Sequence, residues 1–168
     1  KGVGKGAVDT IIENRKEAPY KNIFDVVKKV DLRAANKKAI ENLALAGGFD
    51  SFAGTHRAQY FSPDGDGIIF LEKIIRFGSK FQENQNSSQT SLFEGDTDQV
   101  YQELVIPQAP EWNNLRKLKK EREVVGIYIS GHPLDNFKKE MKWFTNADLS
   151  MLKELKPWIN KNLSLAGI

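Results

Sequence analysis

The fold is decided by a glycine-rich stretch at the front of the chain, Gly2-Val3-Gly4-Lys5-Gly6. Apolar residues recur at helical spacing directly after it, from Ala7 to Ile12, so the pattern predicts a turn that leads into a helix. Glycine lets a backbone approach a ligand without a Cβ clash, and a helix start offers free N–H groups and a partial positive charge. Together these features suit a phosphate.

Two kinds of phosphate-binding turn can be compared with this stretch. A Walker loop is excluded, because the upstream glycine and the Ser or Thr after the lysine are missing. A helix-hairpin-helix DNA-binding turn fits better: Val3 would anchor the turn in the core, and the amides of Gly4, Lys5 and Gly6 would face a phosphate. Such a hairpin holds the DNA backbone, so binding without sequence preference is expected. A plain glycine turn without a ligand is the alternative.

A second basic turn lies further along the chain, at residues 31–38. Four polar or basic residues gather there at the start of the next helix: Arg33, Asn36, Lys37 and Lys38. Cations at a helix N-terminus oppose the helix dipole, so a nearby anion would explain them. Ordinary solvated lysines are the alternative. The two turns together predict a tandem pair that follows one duplex.

The rest of the chain is predicted to be mainly helical. Apolar stripes at helical spacing indicate helices within residues 23–30, 39–44, 68–81, 111–125 and 134–141, and Gly47-Gly48 is a helix stop. A polar stretch within residues 83–110 predicts a mobile linker. The tail, residues 163–168, alternates like a strand. Because a lone strand has no partner, we expect the chain to be cut at the start of a β domain.

Composition excludes several classes of protein. The 168 residues include no cysteine and only two histidines, which excludes a disulfide scaffold, a thiolate zinc site and a cysteine nucleophile. No apolar run approaches the roughly 20 residues that span a bilayer. We therefore expect a cytoplasmic protein without a membrane partner. The loop around Asp64 and Asp66 lacks the remaining ligands of a calcium site, and His132 beside Pro133 is interpreted as a turn residue.

A short apolar pair stands out within the polar linker. Leu92 and Phe93 follow Gln89 and Ser91 in a segment that is otherwise polar and acidic. An exposed Leu-Phe pair on a flexible tether is typical of a peptide that anchors in an apolar groove, with Gln89 bonding at the rim. A chance hydrophobic pair that folds back on the domain is the alternative.

Taken in order, these motifs resemble the family of bacterial replicative DNA polymerase III alpha subunits. The most specific part is Gly126-Ile127-Tyr128-Ile129-Ser130-Gly131-His132-Pro133-Leu134-Asp135. The other matching positions are residues 1–15, 24–32, 36–37, 43, 46–50, 91–93 and 121–125. In that family the corresponding region follows the polymerase palm and fingers. A helix that precedes the first hairpin in the family is absent from this chain, so the first motif is expected to be distorted.

The resemblance implies a fold and a set of sites. It implies a mainly α fold, with a tandem helix-hairpin-helix region at 1–54, a helical extension at 55–82, a linker with a clamp-binding peptide at 83–110, a helical connector at 111–156 and a truncated OB-fold strand within 157–168. The first hairpin would be Gly2, Val3, Gly4, Lys5 and Gly6, and the second, weaker one would contain Arg33, Asn36, Lys37 and Lys38. Gln89, Ser91, Leu92 and Phe93 would bind the sliding clamp.

The resemblance also implies a parent enzyme. That parent would be a DNA-directed DNA polymerase, a nucleotidyltransferase that uses Mg²⁺ and works with other replicase subunits. Its catalytic carboxylates would lie upstream, and this chain has no acidic cluster suited to two magnesium ions. We therefore expect no catalytic residue, metal ligand or cofactor in these residues. Two alternatives stay open: a helix-hairpin-helix module of a DNA repair or nuclease protein without clamp binding, and a scaffold that binds only proteins.

Overall fold

A computed structural model describes residues 1–86, 104–154 and 156–168 of the chain. These residues divide into two compact units, Lys1–Tyr128 and Ile129–Ile168. The described residues form helices and no β-strand, apart from one isolated bridge between Pro63 and Ile69. The prediction of a mainly helical chain is confirmed. Within the described residues no helix is long and apolar enough to cross a membrane.

The first unit is built from helices of very different lengths. Their bounds are α1 Lys5–Glu17, α2 Ile23–Lys29, α3 Lys37–Leu45, α4 Arg57–Tyr60, α5 Phe70–Asn86 and α6 Asn114–Val125. The sequence predicted all of these except the short α4. It placed the α5 start two residues early and its end five residues early.

Local sequence explains where these helices begin and end. Asn22, Asn36 and Asn113 cap α2, α3 and α6, each accepting a hydrogen bond from the backbone N–H three residues later. After α3 the chain turns at Gly47, whose φ of +86° is readily adopted by glycine. Helix α1 ends at Glu17, just before Pro19, as the sequence predicts.

The core lies where α2 crosses α5. Gly78 on α5 permits this close approach, because a Cβ there would lie 2.6 Å from both Val27 Cβ and Val27 O. The ring of Phe24 packs edge-on against Phe70 and Phe77, with centroids 6.4 and 6.0 Å away. Buried residues from Ala7 to Phe77 form one cluster. The apolar core therefore continues across residue 54, where the sequence placed a boundary.

At both of its described ends, the predicted linker takes part in the helical and packed structure. Its first residues belong to α5, which continues to Asn86. Just before them, the Gln82 side-chain amide donates to the carbonyl oxygens of Val27 and Val30, both at 2.8 Å, and fixes this part of α5 on α2. At the other end, Leu104 and Ile106 pack against the core. Polar composition concealed both contacts, because they depend on residues distant in sequence.

A buried arginine joins three parts of the first unit. Arg57 at the start of α4 is 3% exposed and donates to both carboxylate oxygens of Asp50 at 2.7 to 3.0 Å. Its Nη1 donates to Glu121 Oε1 at 2.8 Å, and Glu121 on α6 is fully buried. The stacked rings of Phe61 and Trp112, 5.6 Å apart, add a second contact between the regions of α4 and α6.

The second unit is small and loosely built. It contains a 3-10 turn at Pro133–Phe137, helix α7 at Lys138–Phe144, and 3-10 turns at Met151–Lys153 and Lys156–Trp158. Asn146 fixes the tail: its Oδ1 accepts from Ser164 N at 2.8 Å and its Nδ2 donates to Asn162 O at 3.0 Å. Residues 163–168 form no strand here, so the OB-fold start stays a prediction.

We predict that Glu121→Ala destabilises the first unit by about 3 kcal/mol, because it leaves a buried guanidinium with one of its two carboxylate partners. Urea unfolding followed by circular dichroism measures the change. Glu123→Ala on the exposed side of the same helix is the matched control and is expected to unfold almost like the wild type. Equal losses in the two variants would contradict the assigned role of Glu121.

Candidate nucleic-acid interface

The first hairpin has the geometry of an open turn beside a helix start. Gly2 has a φ of +71°, and Val3 packs partly into the core. Gly4 is the N-cap of α1, and a Cβ built on it would meet nothing within 4 Å. Val3 thus anchors the turn in the core, as the sequence predicts, and the space next to the Gly4 Cα is open.

The start of α1 carries unpaired backbone donors. Gly4 offers no side-chain cap, and the first turn of α1 contains no acidic residue. Across residues 1–86, 104–154 and 156–168, no acceptor meets the N–H groups of Lys5 and Gly6. Lys5 is exposed and makes no ion pair with any described residue. Free amides and a free ammonium group therefore share one surface, which suits an anion.

The structure brings the two predicted turns side by side. A Cβ built on Gly6 would lie 3.9 Å from Ala34 Cβ, and one built on Gly2 would lie 3.7 Å from Lys38 Cγ. In addition, Thr10 Oγ1 on α1 accepts a hydrogen bond from Asp31 N at 3.2 Å. The two turns therefore border one continuous surface. We call it the hairpin surface: Gly2, Gly4, Lys5, Gly6, Ala34 and Lys38.

The lysines of the second turn have acidic partners within the chain. Lys37 Nζ lies 2.5 Å from Glu72 Oε2 on α5, and Lys38 Nζ lies 3.7 Å from Glu41 Oε2 one turn further along α3. The sequence argument required an anion near these cations, and the chain itself supplies two. The argument from the helix dipole therefore gives no independent support for a phosphate at Lys37.

The remaining residues of the second turn take different places. Asn36 is the α3 cap, with its Oδ1 3.0 Å from Ala39 N, so this oxygen serves the helix. Arg33 is exposed and has no ion-pair partner in the described part of the chain. It borders a polar groove of about 510 Å³, together with Lys29 and Asn14. Arg33 is the cation of this turn that stays available to a ligand.

Other sequence predictions fall outside this surface. Gln89, Ser91, Leu92 and Phe93 lie outside the described residues. Asp64 is engaged by its own loop: its Oδ1 accepts from Asp66 N and Ile68 N, and Lys73 pairs with its other oxygen. Among the described residues no group of three or more His, Asp or Glu side chains could hold a metal ion.

His132 takes the place of a turn residue. Its Nδ1 accepts a hydrogen bond from Leu134 N at 3.2 Å, and its backbone N–H donates to Asp135 Oδ2 at 2.7 Å. These contacts are those of a capped 3-10 turn, as the sequence predicts.

Two important features were missed by sequence reasoning. Asn42 on α3 is 6% exposed, and its Nδ2 donates to the Lys1 carbonyl oxygen at 2.7 Å, directly before the first hairpin. The second feature is the Arg57 network. A signal for it exists, because Glu121 lies between Leu118 and Val124 at positions that would otherwise continue an apolar stripe. No comparable sequence signal marks Asn42.

Comparison with known proteins identifies a motif in the first part of the chain. Residues 1–60 match the profile of the helix-hairpin-helix motif. The match covers both turns of the hairpin surface together with α1, α2 and α3. A DNA-binding class of motif therefore coincides with the part of the chain that carries the free amides.

The relatives of the whole chain are more specific. The DNA polymerase III alpha subunit of Vibrio cholerae is 33% identical over 170 residues, which cover 100% of this chain and 14% of that protein. The same subunit of Campylobacter jejuni is 33% identical across 82% of the chain, and that of Haemophilus influenzae 29% across 94%. The resemblance is confirmed: the chain is similar to a segment of DNA polymerase III alpha subunits, and it spans about one seventh of the Vibrio protein's length.

The Lys37–Glu72 pair generates a pH prediction. The Lys37 ammonium, with further help from Arg76, lowers the pKa of Glu72 below its ordinary value of 4.5. A carboxylate with a lowered folded-state pKa stabilises the fold above its ordinary pKa, and that contribution is lost as the pH falls through the folded value. Glu72→Gln should therefore be less stable than the wild type at pH 7. The difference should shrink steadily as urea unfolding is repeated at lower pH, and a constant difference down to pH 3 would contradict the pairing.

Proposed function

We propose that the chain binds duplex DNA through its sugar-phosphate backbone, without sequence preference. The observation that carries this proposal is the start of α1, where unpaired amides lie beside the free Lys5 ammonium within the matched helix-hairpin-helix region. A phosphate oxygen can accept hydrogen bonds from Lys5 N–H and Gly6 N–H while it gains from the helix dipole. Because none of these donors contacts a base, every duplex sequence presents the same ligand.

The second turn contributes unequally to the proposed interface. Lys38 belongs to the hairpin surface. Its contact with Glu41 is 3.7 Å long and the Lys38 side chain is 68% exposed, so a phosphate can replace Glu41 as its partner. Arg33 makes no ion pair with a described residue, although Asp31 and Glu83 line the same groove, and it would contact the next phosphates along the strand. Asn36 acts as the cap that shapes the turn. Lys37 contributes least, because Glu72 already neutralises it. In this form the two turns act as a tandem pair on one duplex.

A wider role follows from the similarity to polymerase III alpha subunits. The parent protein would be a DNA-directed DNA polymerase of chromosome replication that uses Mg²⁺ and works with other replicase subunits. The present segment would hold product duplex and would have no catalytic activity of its own. Gln89, Ser91, Leu92 and Phe93 would attach it to a sliding clamp, and residues 163–168 would begin an OB-fold. Two weak attachments to one DNA raise the effective concentration of each, so release slows.

The alternative function is a helix-hairpin-helix module that binds duplex in repair or nuclease proteins and has no clamp partner. Binding of duplex without binding of the clamp would favour it. A protein-binding scaffold would bind neither. The two experiments below therefore separate all three functions.

The first experiment measures duplex affinity at 50 and 200 mM salt. For the few free cations of the hairpin surface, the affinity is expected to fall about 10- to 100-fold over this range. Lys5→Glu should weaken binding to every duplex sequence alike and reduce the salt slope by about 1, because one phosphate contact is lost. Fluorescence anisotropy with two unrelated duplexes provides both measurements.

A neutral pair at the second turn is the matched control. Lys37→Gln combined with Glu72→Gln keeps the net charge and removes the Lys37–Glu72 pair together with the Glu72–Arg76 contact, both within the chain. Duplex affinity should therefore stay near that of the wild type. A loss confined to one duplex sequence, or an effect of this double variant as large as that of Lys5→Glu, would refute the proposed interface.

The second experiment tests the clamp peptide. We expect Leu92→Ala combined with Phe93→Ala to abolish binding to a bacterial sliding clamp, because the two apolar anchors are removed, and to leave duplex affinity intact. Surface plasmon resonance with immobilised clamp measures the binding.

The control for that experiment lies in the same segment. Gln99→Ala combined with Val100→Ala removes side chains outside the predicted peptide and should bind the clamp like the wild type. Clamp binding that survives in the Leu92/Phe93 variant would show that the peptide is assigned wrongly.

A further inference from the structure

A buried amide of α3 faces the start of the first hairpin. Asn42 is 6% exposed, and its Nδ2 donates to the carbonyl oxygen of Lys1 at 2.7 Å. The two residues are 41 positions apart, so this bond ties the hairpin to a helix of the second motif. A buried amide donor without an acceptor is costly, which makes the bond a strong constraint on where the hairpin backbone runs.

The fit between Asn42 and the hairpin leaves no space for a side chain. Gly2 takes the left-handed φ of +71°, and a Cβ there would lie only 2.7 Å from Asn42 Nδ2. The same Cβ would lie 3.7 Å from Lys38 Cγ. Lys38 precedes Asn42 by one helical turn, so both project from one face of α3. The Gly2 turn therefore packs against this face of α3.

Three contacts hold the start of the hairpin. Val3 packs against the core cluster, and the Lys1 amino group donates to the Val124 carbonyl oxygen at 2.6 Å. The Asn42 bond is the contact that comes from α3, the helix that also carries Lys38. It therefore fixes the hairpin backbone relative to the second turn.

We propose that Asn42 is a positioning residue of the hairpin surface. It contacts no phosphate itself; it holds Gly2-Val3-Gly4 so that the N–H groups of Lys5 and Gly6 point at the same phosphate that the Lys38 ammonium reaches. This inference rests on the proposed duplex binding and adds the residue that couples the second motif to the first.

The experiment compares two core variants of the same helix in the whole chain. Asn42→Ala removes the bond, and Ile40→Val removes one methyl group from a fully buried neighbour on α3. Both are expected to lower the melting temperature. Only Asn42→Ala should lower duplex affinity, about tenfold at 50 mM salt. Its salt slope should stay close to that of the wild type, because no cation has been removed.

Amide chemical shifts provide the readout that a purely structural role would not change. On titration with duplex, the Lys5 and Gly6 amide signals should shift strongly in the wild type and in Ile40→Val, and weakly in Asn42→Ala. If Asn42→Ala does not fold, Asn42→Ser serves instead, because its shorter hydroxyl cannot span the distance to the Lys1 carbonyl oxygen but leaves a smaller void.

The outcomes separate this inference from the proposed function. If the wild type does not bind duplex, the proposed function is wrong and the inference falls with it. If the wild type binds and the Asn42 variant binds equally well with the same amide shifts, the inference alone is overturned. Equal loss of affinity in Asn42→Ala and Ile40→Val would also overturn it, because the effect would then follow stability.

Discussion

The first unit depends on one buried guanidinium. Arg57 binds the Asp50 carboxylate with two nitrogens, Glu121 with a third, and reaches the Leu45 carbonyl oxygen at 3.3 Å. Burial by itself would lower the pKa of Arg57, but the hydrogen bonds to Asp50 and Glu121 outweigh it and hold the pKa above its ordinary value. A permanently charged group is thus enclosed by groups from α3, α6 and the loop between α3 and α4. The backbone must make room for it: a Cβ at Gly47 would lie 2.2 Å from Arg57 Nη2.

The Arg57 network also holds α3 in place. At its C-terminal end, the Leu45 carbonyl is bound by Arg57, and at its N-terminal end Lys37 pairs with Glu72 of α5. Because the Lys37–Glu72 pair is partly exposed, the buried contact of Arg57 is the stronger of the two. The face of α3 that carries Lys38 and Asn42 meets the Gly2 turn, so the Arg57 network also supports the hairpin surface. The acidic partner of Lys37 removes one free cation from the second turn.

The parts of this fold that could be predicted from sequence are those decided by nearby residues. The end of α1 before Pro19, the Gly47 turn and the anchoring role of Val3 follow from short-range pattern, and the structure agrees with them. The caps at Asn22 and Asn36 are equally local, but they were not among the predictions. Sequence patterns do not indicate a contact whose partner is remote in the chain. The end of α5 resembles a polar linker until Gln82 is seen bonded to the end of α2, and Lys37 resembles a phosphate ligand until Glu72 is found beside it. In both cases the partner lies too far away in the sequence for a local pattern to indicate it.

The small number of free cations on the two turns explains why an additional attachment to a sliding clamp would be useful. In the second turn Lys37 is neutralised within the chain, and Lys38 has an acidic neighbour. Lys5 on the hairpin surface and Arg33 of the second turn are therefore the cations of the two turns without an ion-pair partner among the described residues. Counterion release grows with the number of phosphates neutralised, and so few cations give weak binding that salt reduces further. Weak binding without base contacts also lets a protein slide along a duplex, because every step replaces one phosphate by an identical one. A segment built this way would follow newly formed duplex easily and lose it easily. A tether to a ring on the same duplex would slow release from the DNA and still allow the segment to slide. The tether restricts escape without adding a contact to any base.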